Sequence, residues 1–88
     1  MPRDASMAPH PLALLGRTIR MERKKRGMSQ ETLAEAAHLN RSYLSHVENG
    51  TANVTLLAVL RLARALDLPL SVLLADFTPA KLKRMRLS

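Results

Sequence analysis

The sequence predicts an all-α domain of five helices. Apolar residues recur at three- and four-residue spacing through most of the chain. Ser, Asn, Thr or Pro stands where four of the five apolar runs begin. No segment shows the two-residue alternation of a strand, and the chain holds one Tyr, one Phe and no Trp. At 88 residues the chain has room for one domain. The helices are short, so they must hold one another by packing rather than by intrinsic propensity.

Residues 1–11, with Pro2, Pro9 and Pro11, read as a mobile arm. The first helix is predicted over residues 12–26, with Leu12, Leu15 and Ile19 inward. Gly27 stops it, and the basic residues 23–26 suit the negative end of its dipole. Ser29 caps the second helix, residues 29–37, with Glu31 in its first turn and Leu33, Ala34 and Ala37 inward. Asn40 caps the third, residues 41–48, which Asn49-Gly50 closes. Thr55 caps the fourth, residues 56–66, with Leu56, Val59, Leu60, Ala63 and Leu66 on one face. Residues 67–69 break it, and Pro69 suits the first position of a short fifth helix ending near Ala75. The domain is thus expected over residues 12–77, and residues 78–88 read as a basic tail.

Composition narrows the function. Fourteen Lys+Arg stand against seven Asp+Glu, a formal charge of +7, and a basic balance suggests a polyanion partner. The charge is uneven. Residues 17–26 carry six basic side chains against Glu22, and residues 81–88 carry four, whereas the middle of the chain is slightly acidic. The absence of Cys excludes a disulfide scaffold, a thiol nucleophile and a Cys-ligated zinc site. Apolar runs fall far short of the roughly 18–20 residues of a membrane span, and the N-terminus lacks a secretory pattern. A cytoplasmic protein without cofactor is expected. The tail is short and poor in large apolar residues, which favours a phosphate-binding arm over a membrane segment.

The second and third helices meet across His38-Leu39-Asn40, with the small Ala34 where a crossing helix needs room. Leu44 and Val47 fix the buried side of the third helix. Its other side carries Ser42, Ser45, His46 and Asn49, flanked by Arg41 and Tyr43. That face holds donors, acceptors and one aromatic but no acid. It suits the base edges and phosphates of a major groove.

The run SQETLAEAAHLNRSYLSHVENG resembles the helix-turn-helix of the Cro and lambda-repressor-like DNA-binding family, of the xenobiotic-response-element type. The upstream LGRTIRMERKKRGMSQ and downstream NVTLLAVLRLARALDLPLSVLL extend the resemblance from Leu15 to Leu74. The third-helix region is similar to small stand-alone regulators, including controller proteins of restriction-modification systems. The resemblance implies a five-helix lambda-repressor-like domain whose helices 2 and 3 form the motif. It implies base reading by Arg41, Ser42, Tyr43, Ser45 and His46, and phosphate contact by Ser29, Gln30, Asn49, Gly50 and Asn53. It also implies a structural ion pair, Arg23 with Glu48, and double-stranded DNA as partner.

Four residues depart from the family pattern: His38 for the turn Gly, Glu22 for a core Leu, Asp67 for a C-terminal Gly, and Thr32 for the Glu of a capping box. At His38 either a strained left-handed conformation or a slightly different turn is expected, at Glu22 either a rotated helix or a thinner core, and at Thr32 only half of the capping box.

The fifth helix is rich in apolar residues, and Leu70, Val72, Leu73 and Phe77 are expected to form a homodimer interface that spaces two reading helices about 34 Å apart. An alternative makes the chain an antitoxin-type interaction module, with a toxin as partner and DNA binding secondary; polymerase is a further possible partner. Ser42 and His46 share a face, but no acid is placed to orient the imidazole, so no hydrolase triad is expected. His10, His38 and His46 lack metal-ligand spacing, and no enzyme is expected.

Overall fold

The computed structural model describes residues 10–87. They form six helices: α1 (Pro11–Lys25), α2 (Gln30–Ala36), α3 (Arg41–Asn49), α4 (Leu56–Leu66), α5 (Leu70–Leu73) and α6 (Pro79–Arg84). No strand occurs among the described residues. All five expected helices are present, and α6 occupies part of the expected tail. Thr78 caps α6 by accepting the Lys81 amide at 3.2 Å, and Pro79 takes its first position. Residues 1–9 of the expected arm lie outside the described residues. Residues 10 and 11 begin α1 instead, where His10 Nδ1 accepts the Leu12 amide at 3.1 Å.

One core unites the first five helices. Leu15 and Ile19 meet Leu33, Ala34 and Ala37, Leu44 and Val47, then Val59, Leu62, Ala63 and Leu66, and finally Leu73. The packing of α1 against α3 is the most extensive, and it depends on Gly16. A Cβ there would run into the carbonyl oxygens of Val47 and Glu48, far inside van der Waals contact. The two helix backbones therefore meet at a place where no side chain fits.

The fourth helix presents a different face from the one expected. Ala58, Val59, Leu62, Ala63 and Leu66 are buried, whereas Leu56 and Leu60, assigned inward from sequence, are exposed. Only Arg61 and Arg64 are polar in α4, so periodicity left more than one face available.

The departures resolve locally. Glu22 is buried at the expected core-leucine position, and Met21 beside it is exposed, so this stretch adds no apolar side chain to the core. Arg26 Nη1 meets its carboxylate at 2.9 Å, Lys25 Nζ at 3.2 Å, and Arg26 Nε donates to the Leu66 carbonyl at 2.9 Å. A polar clasp thus ties the end of α1 to the end of α4. The Arg26 hydrogen bond, joined by that of Lys25 and opposed by burial, holds the Glu22 carboxyl below its ordinary range. His38 and Asp67 both take the left-handed conformation, with φ of 57° and 56°. Each costs on the order of 1 kcal/mol that Gly would avoid.

Candidate nucleic-acid interface

The turn after α2 is set by backbone hydrogen bonds. The Leu39 amide reaches the Ala34 carbonyl at 2.8 Å, and that of His38 reaches Glu35 at 3.1 Å. Asn40 then starts α3, its Oδ1 accepting the amides of Ser42 at 2.8 Å and Tyr43 at 3.3 Å. Leu44, Val47 and Glu48 face inward. Arg41, Ser42, His46 and Asn49 are exposed, and Tyr43 and Ser45 are half-buried. The expected reading face is therefore open to a partner. Arg41 offers fixed donors suited to guanine, and the serines both donate and accept.

Beneath α3 lies a shared carboxylate. Arg23 Nε and Nη2 bind Glu48 Oε2 and Oε1 at 2.7 and 3.0 Å, and Arg23 Nη1 donates to the Met28 carbonyl at 2.8 Å. Gln30 Nε2 reaches Glu48 Oε1 at 3.1 Å, and Arg20 Nε reaches it at 3.4 Å. Arg20 Nη2 also donates to Asn49 Oδ1 at 2.7 Å. Burial pushes the Glu48 carboxyl up, but the hydrogen bonds from Arg23 and Gln30 outweigh it and hold the group below its ordinary range. One acid thus fixes α3 to α1 and α2.

These contacts refine the phosphate set. Gln30 commits one of its two amide hydrogens to Glu48. Ser29 accepts the Thr32 amide at 3.0 Å and donates to Thr32 Oγ1 at 2.9 Å, which makes half of a capping box with a hydroxyl contact beside it. Asn49 uses its carbonyl on Arg20, which leaves its amide hydrogens for an outside acceptor. Asn53 is exposed in the following loop. Gly50 departs from expectation as a phosphate donor. Its amide donates to the Val47 carbonyl at 3.1 Å, its φ is +76°, and an added Cβ would lie 2.8 Å from Ala13 Cα. Its place is structural: it ends α3 against α1. Tyr43 packs its ring on the core while its hydroxyl accepts the Thr55 amide at 3.4 Å, bracing the loop into α4.

The expected dimer face is corrected at Leu73. Leu73 is 1% exposed and belongs to the protomer core; Leu70 and Phe77 pack against that core, and Val72 is half-buried. A four-residue helix docks more apolar surface than its length suggested because its flanking residues Leu68, Leu74 and Phe77 also fold inward. Among the described residues, three large apolar side chains stay open together on α4: Leu56 at 66%, Leu57 at 58% and Leu60 at 43%.

Sequence reasoning passed over Gly16, Arg20, Arg26 and Thr51. A glycine inside a helical run was a legible signal for the first. Arg20 lies one helical turn before Arg23, a spacing that places both on one side of α1. The Arg26 and Thr51 contacts join loops and helix ends, which periodicity does not report. Arg20, Arg23 and Arg26 all bind internal acceptors, so much of the basic cluster at the end of α1 serves the fold rather than an outside anion.

A family model for helix-turn-helix proteins matches residues 19–73. The chain is 42% identical over 66 residues to control protein C.BamHI of Bacillus amyloliquefaciens, covering 74% of this chain and 80% of that protein. The crystal structure of the restriction-modification controller protein C.AhdI from Aeromonas hydrophila superposes with a TM-score of 0.69 at 45% identity, covering 70% of this chain and 94% of that one. The clp gene regulator ClgR from C. glutamicum gives a TM-score of 0.74 at 26% identity, over 91% and 99% of the two chains.

Proposed function

This chain belongs to the helix-turn-helix family, and we propose from that membership that it is a sequence-specific DNA-binding regulator of transcription rather than an enzyme. It reads the major groove with α3, as a homodimer on a palindromic operator. The observation that carries this reading is the exposed face of α3, polar and free of acid, held from behind by Glu48. Arg41 is the base reader at the start of that face, with Ser42, Ser45 and His46 beside it. Gln30 and Ser29 lie at the α2 N-terminus, and Asn49 and Asn53 flank the far end, to meet the sugar-phosphate backbone.

Two copies meet through Leu56, Leu57 and Leu60 of α4, the large apolar side chains left open together on one helix. Occupancy of a site beside a promoter then blocks polymerase or recruits it. The relatives described above are controllers and a gene regulator, which favours this reading over an antitoxin. Among the described residues no helix is long and apolar enough to cross a membrane.

Selection of bound sites from random duplex DNA tests the proposal. A palindrome with half-sites about one helical turn apart is expected. Recovery of unenriched sequence would contradict it.

A further inference from the structure

We infer that Thr51 fixes the tautomer of His46, so that the imidazole presents an acceptor to the major groove and reads an exocyclic amino group; this rests on α3 being the groove-facing helix. The His46 carbonyl closes α3 by accepting the amides of Thr51 at 2.9 Å and Ala52 at 3.3 Å. Gly50, in the left-handed conformation, turns the chain back to make this possible. Thr51 Oγ1 thereby lies 3.2 Å from the same carbonyl and 3.0 Å from His46 Nδ1.

Thr51 Oγ1 has one proton for these two contacts, and because a carbonyl oxygen only accepts, both can be hydrogen bonds only when that proton goes to the carbonyl. What Oγ1 turns to the ring is a lone pair, and Nδ1 must hold the proton to satisfy that contact. A neutral imidazole carries one such proton, so Nε2 is left as a bare acceptor. His46 is exposed on the reading face. In the major groove its complement is adenine N6 or cytosine N4; guanine O6, N7 and thymine O4 are themselves acceptors. Arg41, a pure donor, reads the opposite kind of group. Thr51 touches no base in this arrangement. It is a positioning residue that acts through His46.

Long-range proton–nitrogen spectra of the free protein, recorded where the ring is neutral, report which ring nitrogen is protonated. The proton is expected on Nδ1 in the wild type and in Thr51→Ser, and shared between the nitrogens in Thr51→Val. A proton on Nε2 in the wild type overturns the inference. In an operator recovered by selection, amino groups are then removed singly, with purine for adenine and 2-pyrimidinone for cytosine. One removal per half-site is expected to cost about tenfold in affinity. The same removal should cost His46→Ala protein nothing and Thr51→Val protein less. Equal sensitivity of His46→Ala and wild type at every position overturns the inference. If selection recovers no operator, the proposed function itself has failed, and the groove role with it; the tautomer is read without DNA, so the two failures are told apart.

Discussion

Arg23 grips Glu48 at two points, Nε to Oε2 at 2.7 Å and Nη2 to Oε1 at 3.0 Å, with the acid side chain fully buried. One partner stands on α1 and the other on the last turn of α3. Removing one partner leaves a buried charge without compensation, so Glu48→Ala is expected to cost about 3–5 kcal/mol in urea denaturation. Replacing both, with Arg23→Met and Glu48→Leu, should recover most of that loss. A single substitution costing no more than a surface ion pair, below about 1 kcal/mol, would show that the pair does not brace the fold.

Acid should weaken the fold through the same groups. Glu48 and Glu22 both ionise below their ordinary value of 4.5 when folded. Such carboxyls stabilise the native state above that value, and the contribution is lost as pH falls through the lower folded-state value. Melting temperature is expected to hold from neutrality to about pH 4.5 and to drop below it. Glu48→Gln should melt lower at neutral pH and lose less on acidification. An identical acid slope in that variant would exclude Glu48 as a source.

Gly16→Ala is expected to be more damaging than its single methyl suggests. The new Cβ would meet backbone oxygens of Val47 and Glu48, which cannot move without shifting α3. Overpacking of this kind costs about 1–3 kcal/mol or more. Circular dichroism melting checks it, with Gly27→Ala as a contrast, since that site has open space and only its φ of +65° to strain.

The helices, the turn and the exposed side of α3 were legible because caps, stops and helical spacing are local. Asn40, Ser29 and Thr55 all cap as their sequence positions imply. The faces of α4 and α5 were not legible. With Leu at positions 56, 57, 60 and 62, the choice of buried side is made by what α4 packs against, not by its own pattern. Leu73 looked like surplus apolar surface because its partners on the other helices are distant in sequence. Glu22 looked like a weak point because its clasp needs the Leu66 carbonyl, 40 residues from Arg26. Gly50 was assigned outward, although its amide already had an acceptor inside its own helix end.

The placement of the dimer contact on α4 is tested by charge. Leu60→Glu and Leu57→Glu alter exposed side chains and should leave the fold intact while sedimentation reports a monomer. Leu73→Glu, at a core position, should unfold the chain instead. A dimer that survives both α4 substitutions would refute the placement.

The central claim is that α3 reads sequence while its surroundings only grip DNA. It is tested most directly by comparing Arg41→Ala with wild type on a selected operator and on random duplex at one salt concentration. A loss of about 1–3 kcal/mol is expected on the operator and little on random DNA, with relaxed preference at one position per half-site. Equal losses on both, or no loss on the operator, would contradict it.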